Sequence, residues 1–168
     1  MLEARSVAIV GASARPGSFG ERLVRELTRS PSAPTVHLVN PRYDAVLGLP
    51  CLDSLDDVPG TVDLVLLGVG DRAVEEPLAT AAQRGDRSAV VFGSAWSPPS
   101  PDEPPLGERL ARTTRSAGMA LCGAGCMGFV NVARGLRAIG YLERETLPHG
   151  PAAFISHSGS AFLSLIHI

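Results

Sequence analysis

The stretch Ser6-Val7-Ala8-Ile9-Val10-Gly11-Ala12-Ser13-Ala14-Arg15-Pro16-Gly17-Ser18-Phe19-Gly20 decides the fold. Its first five residues form a nearly continuous apolar run, which predicts a strand buried on both faces. Residues 21–28 carry Leu23, Val24 and Leu27 at helical spacing, so a helix follows the strand directly. The turn between them is made of small residues. Such a turn lets an anion approach the backbone, and the helix start offers it unpaired N–H groups and a positive dipole end.

Working outward, strand and helix patterns alternate. Strands are predicted at residues 35–39, 62–69, 88–92 and 119–122, and helices at 71–84 and 106–116. Val74, Leu78 and Ala81 would face the sheet, while Asp71, Glu75 and Glu76 place negative charge at a helix start. Residues 42–59 read as a long connection with a Gly48-Leu49-Pro50 turn. The proline-rich stretch from Trp96 to Pro105 reads as a surface loop, with Trp96 either lying against a bound adenine or pantetheine or, the plainer reading, anchoring the loop on the core. Right-handed crossovers then give an α/β fold, a Rossmann-like doubly wound parallel sheet of about five strands with helices on both faces.

The first turn departs from the dinucleotide fingerprint, which wants glycines at its first, third and sixth positions and an acidic residue about 20 residues later. Ser13 and Pro16 hold the third and sixth positions, and the second strand ends in Asn40-Pro41-Arg42. A neutral amide beside a guanidinium suits an adenosine carrying an extra phosphate better than a free ribose diol. An exposed loop arginine with no ligand is the plainer alternative for Arg42.

Gly11-Ala12-Ser13, Pro16-Gly17-Ser18 and Gly20, then Val39-Asn40-Pro41-Arg42-Tyr43 and Gly48-Leu49-Pro50-Cys51, resemble the coenzyme A-binding domain of NDP-forming acyl-CoA synthetases, relatives of the succinyl-CoA synthetase alpha subunit. The likeness continues through Gly123-Ala124-Gly125-Cys126-Met127-Gly128 and Phe154-Ile155-Ser156-His157-Ser158-Gly159, so it spans nearly the whole chain in order. It implies a coenzyme A site at Gly11, Ser13, Pro16, Ser18, Phe19, Gly20, Asn40, Pro41, Arg42 and Val69. It also implies a phosphate-binding turn at Ser156, Ser158 and Gly159 that opens a second domain. The chain differs from the family at Gly125, where asparagine is common, and at Gly70, where proline often follows the valine.

Under that resemblance residues 1–148 form the coenzyme A-binding domain, and residues 149–168 the truncated start of a flavodoxin-type domain with a strand at 152–155. The ending Ser164-Leu165-Ile166-His167-Ile168 looks like adapter read-through. None of His37, His149, His157 or His167 matches the family's phosphohistidine motif, and the nucleotide-grasp segment is absent. No catalytic residue is therefore expected here. The parent would be an acid–CoA ligase using ATP or ADP and Mg, with the missing ligase domains or subunit as partners, and this piece would bind without turning over. A stand-alone coenzyme A-binding regulatory module and an NAD(P)-binding oxidoreductase domain are the alternatives.

Bulk properties agree. The chain has 168 residues, 45% of them hydrophobic, and a formal net charge of −2, with no basic cluster that would call for nucleic acid or an anionic membrane. No apolar run approaches the roughly 20 residues of a membrane span. With no secretory signal the expected location is cytoplasmic, and Cys51, Cys122 and Cys126 are expected as reduced thiols. No second Cys or His pair complements Cys122 and Cys126, so no metal site is expected, and Cys126 reads as a packing residue.

Overall fold

The computed structural model describes residues 1–156. In chain order these give β1 (Ser6–Val10), α1 (Phe19–Thr28), β2 (Thr35–Val39), β3 (Ala45–Val46), β4 (Leu49–Leu52), β5 (Leu64–Leu67), α2 (Glu75–Arg84), β6 (Ser88–Val91), α3 (Leu106–Ser116), β7 (Ala120–Cys122), β8 (Gly128–Asn131) and β9 (Leu136–Ile139). Seven strands form one sheet in the order β3-β4-β2-β1-β5-β6-β7. All its pairings are parallel except β3 with β4. The order reverses beside β1, whose neighbours are β2 and β5. In open α/β sheets that switch point leaves a crevice at the carboxyl ends of the strands, where ligands bind.

The two-residue periodicity of the central strands sorts their side chains onto two faces. Ala8, Val65, Leu67, Ala89 and Val91 join Val74, Leu78 and Ala81 with α3's Leu106 and Leu110 in one buried cluster. Val7, Ile9, Leu64, Leu66 and Val90 join Leu23, Val24 and Leu27 of α1 with Leu136 and Ala138 of β9 in the other. The sheet is thus covered by α2 and α3 on one face and by α1 with the β8–β9 hairpin on the other. This is the mostly parallel, Rossmann-like architecture the alternation predicts. Among the described residues no helix is long and apolar enough to cross a membrane.

Four details differ from the sequence expectation. The sheet has seven strands rather than about five, because the 42–59 connection contains the β3–β4 hairpin, turned by Leu47 and Gly48 at φ of 51° and 81°. Two successive residues in the left-handed region are what a tight hairpin turn requires. The β8–β9 hairpin is a second addition, antiparallel from Gly128↔Ile139 to Asn131↔Leu136. The expected helix at 71–84 opens instead with a 3₁₀ turn, Asp71–Ala73, before α2 proper. Finally, residues 152–155 form no strand: they are irregular and exposed, since no neighbouring strand among the described residues offers them a ladder. The turn expected from His157 onward lies outside the described residues.

Candidate coenzyme site at the switch-point edge

The first turn is built around two close approaches. A side chain on Gly11 would place its Cβ 2.7 Å from the Gly68 carbonyl oxygen, at the end of β5, and Gly11 has φ +92°. One on Gly20 would lie 2.1 Å from the Gly11 carbonyl oxygen. These glycines let β1, β5 and α1 meet, so packing by itself requires their smallness. Residues 14–17 of the same turn are exposed, and Gly17, at φ +71°, has open space around it.

Ser18 ends the turn as the N-cap of α1, its Oγ accepting the Glu21 N–H at 3.3 Å. Ser13 Oγ accepts the Arg15 N–H at 3.2 Å and lies 3.4 Å from the Tyr43 hydroxyl, joining the first turn to the second strand's tip. Asn40 joins them more firmly. Its Nδ2 donates to the Ala12 carbonyl at 2.7 Å, and its Oδ1 accepts the Arg42 N–H at 3.1 Å. A carboxylate here would face a carbonyl oxygen with no proton between them. The absence of the dinucleotide-type acid thus follows from the geometry of the two tips.

Of the predicted residues, Gly11, Ser13, Pro16, Ser18, Gly20, Asn40, Pro41, Arg42 and Val69 all sit at this edge, on the ends of β1, β2 and β5. Phe19 follows the same turn but packs edge-on against Phe92, ring centroids 5.1 Å apart, and against Gly140, where a Cβ would strike its ring. It supports the turn from the α1 side. Ser156 is half-buried, while Ser158 and Gly159 lie outside the described residues.

The sequence reading missed three contributors. The side chains of Arg15 and Arg72, like that of Arg42, are exposed and without a hydrogen-bond or ion-pair partner among the described residues. They follow the ends of β1, β5 and β2, so three arginines with no side-chain partner among the described residues stand on the loops that leave the switch-point edge. Each is an ordinary loop arginine in sequence, and only the strand order gathers them. Asp71 is the third contributor. Its carboxylate accepts the Ser94 hydroxyl at 2.5 Å and the N–H groups of Ala95 and Trp96 at 2.9 and 3.3 Å, and these bonds hold it below its ordinary pKa. Because Asp71 anchors that loop, Trp96 does not. The indole is 66% exposed, contrary to the plainer sequence reading, and stands on the same edge of the sheet.

A hollow lined by Glu3, Arg5, Ser32 and Arg134 opens near the amino end of β1, opposite the tips, and has no part in this site.

A doubly wound sheet with a glycine turn and a helix start at its switch point is an arrangement suited to phosphorylated, nucleotide-like ligands. The chain belongs to the CoA binding domain family, whose model matches residues 5–132. It is 28% identical over 160 residues to the Acetate--CoA ligase [ADP-forming] I of Archaeoglobus fulgidus, covering 95% of this chain and 23% of that protein. The dinucleotide forming Acetyl-coenzyme A synthetase 1 of Ca. Korarchaeum cryptofilum, solved in complex with phosphate and ADP, superposes with a TM-score of 0.84 at 28% identity, over 99% of this chain and 35% of that one. A conserved hypothetical protein from Pyrococcus furiosus superposes at 0.56 and 25% identity, over 71% of this chain but 94% of its own. The chain thus spans about a quarter of the curated ligase's length.

Proposed function

We propose that this chain is the coenzyme A-binding part of an NDP-forming acid–CoA ligase, which couples acyl thioester formation to ATP or ADP and phosphate through a phosphohistidine carried elsewhere in the protein. The coenzyme would supply the thiol that takes the acyl group. The chain's residues fit it: Arg15, Arg42 and Arg72 offer charge to its three phosphates, the exposed backbone of residues 14–17 and the α1 start offer N–H donors, and the Asn40 bracket fixes the cleft between two tips. Ser156, Ser158 and Gly159 would present the phosphate-binding turn of the next domain. ATP or ADP and Mg would bind to the remaining ligase domains or subunit.

The observation that carries the ligase reading is the reach of the likeness. The Korarchaeum synthetase, a longer chain, covers 99% of this one, including β9 and the segment after it, whereas the Pyrococcus furiosus protein covers 71%. A stand-alone module would not need that additional length. A nicotinamide enzyme is disfavoured because Asn40 spends its amide within the protein and leaves no carboxylate for a ribose diol.

Calorimetric titration of the full chain with coenzyme A and with dephospho-coenzyme A tests the site. Arg42→Ala should weaken coenzyme A binding about tenfold and leave dephospho-coenzyme A binding unchanged. Equal affinity of the unaltered chain for both ligands would remove Arg42 from the phosphate.

A further inference from the structure

The loop that leaves β6 is fixed at several points. Residues 94–96 are gripped by one carboxylate, Asp71, which follows the neighbouring strand β5 and accepts from the Ser94 hydroxyl and from the Ala95 and Trp96 N–H groups. Gly93 admits that carboxylate, since a Cβ there would lie 2.6 Å from Asp71 Oδ1. The Gly93 carbonyl also accepts the Gly125 N–H at 2.6 Å, which braces the loop from the β7 side. Beyond Trp96, Ser97 Oγ accepts the N–H of Leu106, the first residue of α3, at 3.1 Å. Ala95 stands at φ +52°, a left-handed conformation that a residue with a Cβ keeps only where its surroundings hold it. Between these anchors the indole of Trp96 is 66% exposed, with no hydrogen-bond or ring partner among the described residues. A large, flat side chain on a backbone fixed from both sides gives up little further freedom when a ligand covers it.

The neighbours of this loop set its place along the edge. A Cβ on Gly11 would stand 3.0 Å from Val69 Cγ1, and one on Gly93 would stand 3.5 Å from the Val69 carbonyl oxygen. The first turn, Val69 and the β6 exit are thus adjacent in that order, and the β6 exit lies on the far side of β5 from the β2 tip. Resting on the coenzyme A reading, with the adenosine end at Asn40-Pro41-Arg42 and the diphosphate at the first turn, we propose that Trp96 is a contact residue for the pantetheine arm and that Asp71 is the positioning residue that sets it. An arm that leaves the first turn in the direction away from β2 crosses the exits of β5 and β6, where the indole offers an apolar face to cover.

Calorimetric titration of the full chain with coenzyme A and with adenosine 3′,5′-bisphosphate, which lacks the arm, separates the two halves of the ligand. Trp96→Ala should weaken coenzyme A binding about tenfold and change bisphosphate binding by less than about twofold, and Trp96→Phe, which keeps an apolar ring, should recover most of the loss. Asp71→Ala should show the same selective loss, and Asp71→Asn, which keeps one acceptor oxygen for the loop N–H groups, a smaller one. Trp96 is the one tryptophan of the chain, so its emission reports the contact with no substitution at all: coenzyme A should change it and the bisphosphate should not. Equal losses for both ligands in Trp96→Ala would put the indole on the adenosine and overturn the proposal. Unchanged coenzyme A affinity in Trp96→Ala, or emission that saturating coenzyme A leaves unchanged, would remove the indole from the ligand, and full coenzyme A affinity in Asp71→Ala would remove the positioning role. In each of these cases the unaltered chain still binds coenzyme A; a chain that binds neither ligand overturns the coenzyme reading itself, and this proposal with it.

Discussion

Asn40 shows how one side chain sets the character of the site. Its amide donates to the Ala12 carbonyl and accepts the Arg42 N–H, so it fixes the distance between the first two strand tips. Asn40→Asp keeps the acceptor, loses the donor and sets an anion against a carbonyl. It should cost about 1–3 kcal/mol of stability in denaturant unfolding at neutral pH, with part recovered once the new carboxyl is protonated. An Asn40→Asp chain as stable as the original would show that the bracket does no structural work. The sequence reveals that residue 40 is neutral where an acid is usual, and this much was legible without coordinates. That the amide points to Ala12 was not legible, because it depends on the β1–β2 register, which pairs Val10 with Val39. Arg15 and Arg72 were hidden for a similar reason: nothing local marks them, and only the strand order puts the ends of β1 and β5 on the same sheet edge as the end of β2.

The elements that sequence located well are those whose burial is periodic. α1, α2 and α3 each present an apolar stripe, and β5 is apolar throughout while β1 and β6 are apolar after their first residue. The β3–β4 hairpin escaped because Leu47 occupies a positive-φ position where Asn or Gly would have announced the turn. Residues 152–155 erred the other way, since an apolar run specifies a strand only where a neighbour exists to pair it. The turn from Asp71 to Ala73 carries a pH signature. Its Asp71 carboxylate, held by Ser94, Ala95 and Trp96, lies below its ordinary value of 3.8. A depressed folded-state pKa contributes stability that is complete above the ordinary value and lost as pH falls through the lower one. Trp96 is the chain's one tryptophan, so its emission should be flat from neutral pH to about 4 and change below that as the loop is released. Emission that titrates near pH 6, or does not change in acid, would contradict the anchoring role of Asp71.

Across the whole molecule, the edge that gathers the tips is braced from behind. Glu26, fully buried in α1, accepts from Arg29 at 2.7 Å, from Arg137 at 3.1 Å and from the Glu143 N–H at 3.3 Å. Arg137, itself buried on β9, donates to the carbonyls of Arg144 and Glu145 at 2.9 and 2.6 Å. Arg22 ties the same helix to the Gly17 and Gly140 carbonyls at 2.7 and 3.0 Å. The helix that begins at the first turn is thus clamped to β9 and to the segment that leaves it. A buried charge satisfied this fully is expensive to leave half-paired, so the clamp holds the exit segment in one place relative to the turn. Residues 136–145, outside the matched family segment, are therefore integral to this fold. Under the proposed function this edge takes coenzyme A and not a nicotinamide dinucleotide. Calorimetry of the full chain with coenzyme A and with NADH, at equal ionic strength, tests it most directly: coenzyme A should bind at least about tenfold more tightly, and its affinity should fall as salt screens the three guanidinium groups. NADH binding as tightly as or more tightly than coenzyme A would contradict it.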